Sequence, residues 1–443
     1  MDTRFILLGL KTYGMKCLEK PIELQFYNKT IDSGVFNKPF IKSIYGTNGE
    51  GKSAIAHTLN LYKNSCISAN YLYGESYIGS FKEIVNKNKQ KILVDLYFAS
   101  IDKENGPTIF HHIVEYILKD KDLYIDHEVL YMCGKESWGY SDKETKVYET
   151  KGGEIIFLHR YINKYKDEII RDSRNMLNRN SASLPFVYFS FKRTGEEDDG
   201  VLSFYYACLQ VLLFAYSINV FLDNSDIHQV TLAKAMSYSD KLKDNIDEAI
   251  STSRFVFDKE VDEVDANKID QYRKEINKVA SFIKIFKPEL ETIDIEESVN
   301  RGTIMCKKVL VYKNGSSVSI EYESSGVKKL FRLYPYLNSI DSGGISFIDE
   351  FDSNIHDVYL CKLVEYFLNY TSGQLIFTTH NLGPMELLSE YKLKHAIDFI
   401  NDGEITSWTR NGNYSVVNLY RGGAIKNCPF NIDAADFVKV FGE

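Results

Sequence analysis

Proline is scarce in this chain: its 443 residues include 8 prolines and 27 glycines, with neither gathered into a low-complexity stretch. That excludes collagen-like repeats and long disordered linkers. The seven cysteines (17, 66, 133, 208, 306, 361 and 428) are scattered, odd in number and form no C-x-x-C pair. A disulfide framework and a zinc site are thereby disfavoured, and reduced thiols in a cytoplasmic protein are expected. Basic residues are outnumbered, 53 Lys+Arg against 61 Asp+Glu, for a net charge of −8. Overall charge thus gives no pull toward nucleic acid. Internal repeats and long heptad runs are lacking, so a solenoid or extended coiled coil is not expected. No basic start precedes the apolar residues 5–10, which read as a first β-strand and not as a leader.

Residues 201–222 lack any charge and are long enough to span a bilayer. Ser203, Gln210, Ser217 and Asn219 interrupt the run, and acidic residues flank it on both sides (196–199, then Asp223 and Asp226). A membrane helix usually carries Lys or Arg at one end. A buried core helix is the preferred reading and a membrane helix the alternative.

What the chain does contain is alternation of strands and helices on a scale of two or three domains. Residues 1–60 read as strand, hairpin, strand, glycine-rich loop and helix. Residues 90–150 look like an antiparallel meander built on the runs 93–98, 110–117 and 123–130. Helical periodicity dominates from about 155 to 295, as in Ile276, Val279, Phe282, Ile283 and Phe286 on one face. Asn314-Gly315 between Val309-Leu310-Val311-Tyr312 and Val318-Ser319-Ile320 is a hairpin signal. Two apolar strands, 345–348 and 375–378, then alternate with a helix at 358–370, which completes a parallel α/β core. The expected division is 1–150, 151–300 as a mainly helical insertion, and 301–443.

Four motifs carry chemistry. Gly46-Thr47-Asn48-Gly49-Glu50-Gly51-Lys52-Ser53 fits G-x-x-x-x-G-K-[ST] after an apolar strand and before a helix. Its glycines let backbone N–H groups close on phosphate oxygens beside a helix N-terminus. Lys52 would reach the β- and γ-phosphates of ATP, and Ser53 would hold Mg²⁺. Second, Ile345-Ser346-Phe347-Ile348 ends in Asp349 and Glu350. Asp349 is placed for the metal and Glu350 for orienting water onto the γ-phosphate. Third, Leu375-Ile376-Phe377-Thr378-Thr379 ends in His380, whose neutral imidazole can contact the γ-phosphate. Fourth, Ser324-Ser325-Gly326 opens a helix and offers hydroxyls and free N–H groups to an anion. Taken singly, each of the last three has a structural reading: surface acid, core histidine, ordinary N-cap.

In this order the four resemble the ABC-class ATPase heads of SMC proteins, recombination-repair ATPases and the OLD-like, AAA-annotated ATPases of bacterial antiphage defence. The likeness covers roughly 1–130 and 300–443. It implies an α/β P-loop head with an antiparallel β-lobe and a mainly helical insertion. It also implies Mg-ATP binding, slow hydrolysis with Lys52, Glu350 and His380 as catalytic residues, and Ser53 and Asp349 on the metal. Ser324, Ser325 and Gly326 would meet the ATP held by a second head, which makes a head-to-tail homo-oligomer. Residues 352–356 resemble the D-loop of that family, and residues 419–423 with Cys428-Pro429-Phe430 resemble the tail of the defence ATPases. The implied role is the sensor subunit of a defence system of PARIS or Septu type, controlling a separate nuclease or toxin effector. The alternatives are a DNA-clamping repair ATPase of the SMC/RecF kind and a scaffold that holds ATP structurally. Glu323 stands where the family has Leu, and Val327 where Gln is common. A Toprim nuclease domain would have to follow His380, where 63 residues are too few.

Two GTPase-like strings, Asn267-Lys268-Ile269-Asp270 and Asp341-Ser342-Gly343-Gly344, occur in reversed order and read as coincidence. For nucleic acid the local candidates are Lys87, Lys89 and Lys91, and the group Arg160, Lys164, Lys166, Arg171, Arg174 and Arg179. The latter is interleaved with Asp167, Glu168 and Asp172, so a solvated helical face is the competing account.

Overall fold

The structure, a computed structural model, describes residues 3–27, 36, 40–68, 71–73, 83–102, 106–120, 122–133, 144–193, 198–222, 255, 257, 259–300, 303–393, 395–409, 414–425 and 440. It has the expected α/β class. The central sheet runs Glu404–Ser407, Ile397–Asn401, Phe40–Tyr45, Gln374–Thr378, Ile345–Ile348, Ile218–Phe221. All but the first of these strands are parallel, and Glu404–Ser407 closes one edge as an antiparallel hairpin. Phe40–Tyr45, Gln374–Thr378 and Ile345–Ile348 are buried along their whole length, without alternation, as sheets covered on both faces require. Ile376 packs into the core beneath the helix Lys52–Ile67, while its neighbours Leu375 and Phe377 join Leu360, Val364, Met385 and Leu388 on the other side. The period of two along the strand thus feeds two cores.

The meander is present as a seven-stranded antiparallel sheet: Ile22–Gln25, Arg4–Tyr13, Lys91–Asp102, Gly106–Lys119, Asp122–Cys133, Glu144–Lys151, Glu154–Leu158. The uncharged run forms the helix Asp199–Ser217. Among the described residues it is the one helix long and apolar enough to cross a membrane. Here its apolar face is buried against this sheet, with Phe214 stacked on Phe98 at 4.1 Å between centroids. Its end passes directly into the core strand Ile218–Phe221, so both its length and its lack of charge follow from its place in the core.

Between 151 and 300 the described residues hold the helices Lys166–Ser173, Ser183–Phe191, Asp199–Ser217 and Ile269–Phe286. They also hold strands that helical periodicity does not anticipate. Ile218–Phe221 pairs with the central sheet, while Val261–Asp265 and Leu290–Asn300 flank Thr303–Tyr312 in a third, antiparallel sheet. The helix Ile269–Phe286 buries Tyr272, Ile276, Val279 and Ile283 against that sheet. The Asn314-Gly315 hairpin closes as expected, with Gly315 at φ +81 and Ser317–Ser319 paired back on Thr303–Tyr312. Six described cysteines are unpaired; Cys428 and its neighbours lie outside the described residues.

Candidate functional site

The strand Phe40–Tyr45, buried throughout, delivers the loop to the carboxyl edge of the parallel sheet. Open α/β sheets bind ligands at this edge. Gly46 lies against the neighbouring strand so closely that a Cβ there would sit 2.4 Å from the Ile400 carbonyl oxygen. Gly49 (φ +89) and Gly51 (φ +106) take left-handed conformations that favour glycine. Gly51 caps the helix Lys52–Ile67 with no side chain to occupy the N–H groups of Lys52 and Ser53. Thr47 donates to Glu50 at 3.2 Å, and Glu50 also accepts from the Asp402 backbone N–H, while Asn48 is exposed. Lys52 is buried and its Nζ donates to the carbonyls of Gly46 (2.7 Å) and Thr47 (2.9 Å). Burial pulls its pKa down, opposed by the charges of Asp349, Glu350, Asp352 and Glu50.

The strand Ile345–Ile348 sits between Gln374–Thr378 and Ile218–Phe221, and its in-register pairing puts Asp349 beside Thr378. Asp349 is 6% exposed and accepts from the Thr378 hydroxyl at 2.6 Å through Oδ1. Among the described residues its Oδ2 accepts no hydrogen bond, and the Ser53 hydroxyl has no partner. A carboxylate oxygen and a hydroxyl left open in this way suit a hard cation such as Mg²⁺. Glu350 is exposed and held at φ +48, with its N–H on the Thr378 hydroxyl at 2.8 Å. His380 follows the next strand, its N–H on Asp352 Oδ2 at 3.2 Å. Burial and then the Lys52 charge lower its pKa, against Asp352, Glu350 and Asp349, so the ring is neutral at pH 7. Lys52, Asp349, Glu350, Asp352 and His380 therefore share one electrostatic neighbourhood.

The serines lie elsewhere. Ser324 caps the helix Ser325–Asp341, its Oγ accepting from the Val327 N–H at 3.4 Å, and both serines are exposed. Ser325 donates to Asn354 at 3.2 Å, and a Cβ on Gly326 would lie 3.0 Å from the Asn354 carbonyl oxygen. Among the described residues no hydrogen bond or ion pair joins these three to the phosphate loop of their own chain. Glu323, the departure from Leu, is a structural anchor. Its carboxylate accepts from the Tyr312 hydroxyl, from Lys287 Nζ at 3.1 Å and from the Ser324 N–H at 3.1 Å.

Lys16, Cys17 and His57 escaped sequence reasoning. A hook at 14–18 turns on Gly14 (φ +88) and places Leu18 and Cys17 against Gly51. The Lys16 and Asp349 charges interact, and both act on His57, whose pKa falls to about 4, mainly through burial. At least four of the nine basic candidates for nucleic acid pair with acids: Lys87 with Glu83, Lys91 with Glu115, Lys164 with Asp198 and Arg171 with Asp172.

A family model described as "AAA domain, putative AbiEii toxin, Type IV TA system" matches residues 142–386, which take in Ser324, Asp349, Glu350 and His380. None of the curated proteins compared matches the chain. Solved structures with similarity include the Smc head domain with an extended coiled coil from Pyrococcus furiosus, bound to the C-terminal domain of ScpA. It is 13% identical, with TM-score 0.42, covering 91% of this chain and 96% of the other. A second Smc head, from Pyrococcus yayanosii, is 10% identical with TM-score 0.41 over 95% and 100%. The recombination mediator RecF-ATPrS is 12% identical with TM-score 0.36 over 92% and 99%.

Proposed function

Since the chain belongs to the family described as AAA domain, putative AbiEii toxin, Type IV TA system, we propose that it binds and slowly hydrolyses Mg-ATP between two head-to-tail copies. The observation that carries this reading is the convergence of Lys52, Asp349, Glu350 and His380 at one sheet edge. Lys52 leaves the loop carbonyls to neutralise β- and γ-phosphate oxygens, while the N–H groups of residues 46–53 hold the chain of phosphates. Ser53 and Asp349 would hold the metal ion, which would supply charge neutralisation to the phosphates. Glu350 orients the attacking water, and neutral His380 holds a γ-phosphate oxygen without competing with Lys52 for charge. Ser324, Ser325 and Gly326 close the site of the other copy.

We infer further that nucleotide state controls a separate effector, in keeping with the toxin–antitoxin description of the family. The rival reading is a repair ATPase that clamps DNA. The test begins with three variants. Lys52→Ala loses nucleotide affinity. Glu350→Gln keeps affinity, loses turnover by about 10²-fold or more, and traps an ATP-bound dimer on size-exclusion chromatography with light scattering. Ser324→Arg binds ATP and stays monomeric. Full affinity in Lys52→Ala, or wild-type dimers and turnover in Ser324→Arg, refutes the proposal. ATP-dependent, salt-sensitive binding to duplex DNA would instead favour the clamp.

A further inference from the structure

Glu350 is not a glycine, yet its φ is +48, a conformation uncommon for a residue with a side chain. Such backbone persists when its surroundings over-determine it. Thr378 holds the N–H side. On the other side the Glu350 carbonyl accepts from the Ser353 N–H at 3.0 Å and from Lys329 Nζ at 2.6 Å. Lys329 belongs to the second turn of the helix Ser325–Asp341, is 2% exposed, and also donates to the Ser353 hydroxyl. Its ammonium lies 5.8 Å from the centre of the Phe221 ring, on the strand beside Ile345–Ile348. A buried ammonium carries a desolvation cost that must be offset by its hydrogen bonds. Two of those bonds fall on the two ends of one turn, 350–353, which follows directly on Asp349.

We propose that Lys329 is a positioning residue for ATP hydrolysis. Its ammonium clamps the Glu350 peptide and Ser353, so that the Glu350 carboxylate is presented to water at its own site. The same helix begins at Ser324, which faces the nucleotide of the other copy, so Lys329 ties occupancy of one site to the geometry of Glu350 in the other. Ser325 and Asn354 form a second tie between the same two segments. This inference rests on the ATPase reading above.

The experiment is steady-state ATP turnover and nucleotide affinity for full-length Lys329→Met, Lys329→Arg and Ser353→Ala, each alone and with Glu350→Gln. Lys329→Met is expected to lower kcat about tenfold or more with KM within about twofold, while ATP-dependent dimers still form. The Arg variant recovers part of kcat, and Ser353→Ala shows a smaller loss. In the Glu350→Gln background Lys329→Met causes no further loss, because the group it positions is already gone. A raised KM with kcat intact, or losses that multiply in the double variant, overturns the proposal. If Lys329→Met melts early, Lys329→Arg and Ser353→Ala decide the matter: wild-type kcat in both overturns it. Wild-type protein without turnover would sink the ATPase reading, whereas turnover indifferent to Lys329 would sink this inference alone.

Discussion

The strand that presents the phosphate loop contains a lysine where an apolar residue is expected, and this gives the sharpest test of how the core is built. Lys42 is fully buried in Phe40–Tyr45, and its Nζ donates to Asp398 at 2.5 Å and to the His395 carbonyl at 2.6 Å. Asp398 is equally buried on the adjacent parallel strand, and its other oxygen accepts from the Ser407 hydroxyl at 2.6 Å. Burial lowers the Lys42 pKa and the aspartate opposes that shift, so the charge exists because its partner does. Removing one partner strands the other. Lys42→Met leaves a buried carboxylate with a single hydroxyl donor, and Asp398→Leu leaves a buried ammonium with a single carbonyl. Each is expected to cost about 3–5 kcal/mol, a fall in melting temperature of about 10 °C for a unit of 150–250 residues. Lys42→Met/Asp398→Leu removes both charges, and its stability should return to within about 1–2 kcal/mol of wild type, or exceed it. The double-mutant cycle is read by urea unfolding followed by far-UV circular dichroism. Singles costing under about 1 kcal/mol, or a double as unstable as the summed singles, would refute the reasoning.

Gly46→Ala must push the loop off Ile400, whose carbonyl oxygen a Cβ would meet at 2.4 Å. Titration with a fluorescent ATP analogue should show at least a tenfold loss of affinity, whereas Gly49→Ala, with open space around it, carries only the backbone cost of about 1–2 kcal/mol. His57, shifted from 6.5 to about 4, is neutral when folded, so the unfolded chain takes up protons first as pH falls. Stability that is full above pH 6.5 should decline between 6.5 and 4 by up to about 3 kcal/mol, and His57→Gln should flatten that limb in pH-dependent urea midpoints. Burial raises the Glu323 pKa, but Tyr312, Lys287 and the Ser324 N–H outweigh it and leave the value lowered. Its contribution is present above the ordinary carboxylate value and lost as pH drops through the folded one, so Glu323→Gln should blunt acid destabilisation and, at pH 7, weaken ATP-dependent dimerisation.

Legibility of this chain in its sequence tracks the range of the interaction concerned. The phosphate loop, Asp349-Glu350 and His380 are local strings at strand ends, and the Asn314-Gly315 hairpin is a two-residue turn; all are readable because local sterics dictate them. Ile218–Phe221 was hidden because it continues a run, 201–222, whose apolar helix and buried strand have no punctuation between them. Leu290–Asn300 and Val261–Asp265 were hidden by acidic residues on their exposed faces, and the pairing that makes them strands comes from Thr303–Tyr312. Lys16 and His57 join the site through the tertiary hook at 14–18, for which Gly14 was the available signal. Glu323 looks like a lost leucine until Lys287, 36 residues upstream, is placed beside it.

Parallel register explains why residues hundreds of positions apart meet. Ile348 pairs with Phe377, and Phe377 with Ser43, so the three strands are staggered by little at their carboxyl ends. The residues that follow them, 46–53, 349–350 and 379–380, must then emerge at one level. The serine helix obeys a different constraint. It starts from the third sheet, where Val327, Leu330 and Phe331 are buried with Ile276, Val279 and Ile283, and its later turns pack on the central sheet through Leu333, Leu337 and Ile340. Its N-terminus is consequently carried by a lobe whose described strands form a sheet of their own, and among the described residues no hydrogen bond or ion pair ties Ser324 to its own loop. Under the proposed reading that N-terminus serves the nucleotide of a second copy, and Lys329, one turn further along, is a buried bridge back to the Glu350 turn of its own chain.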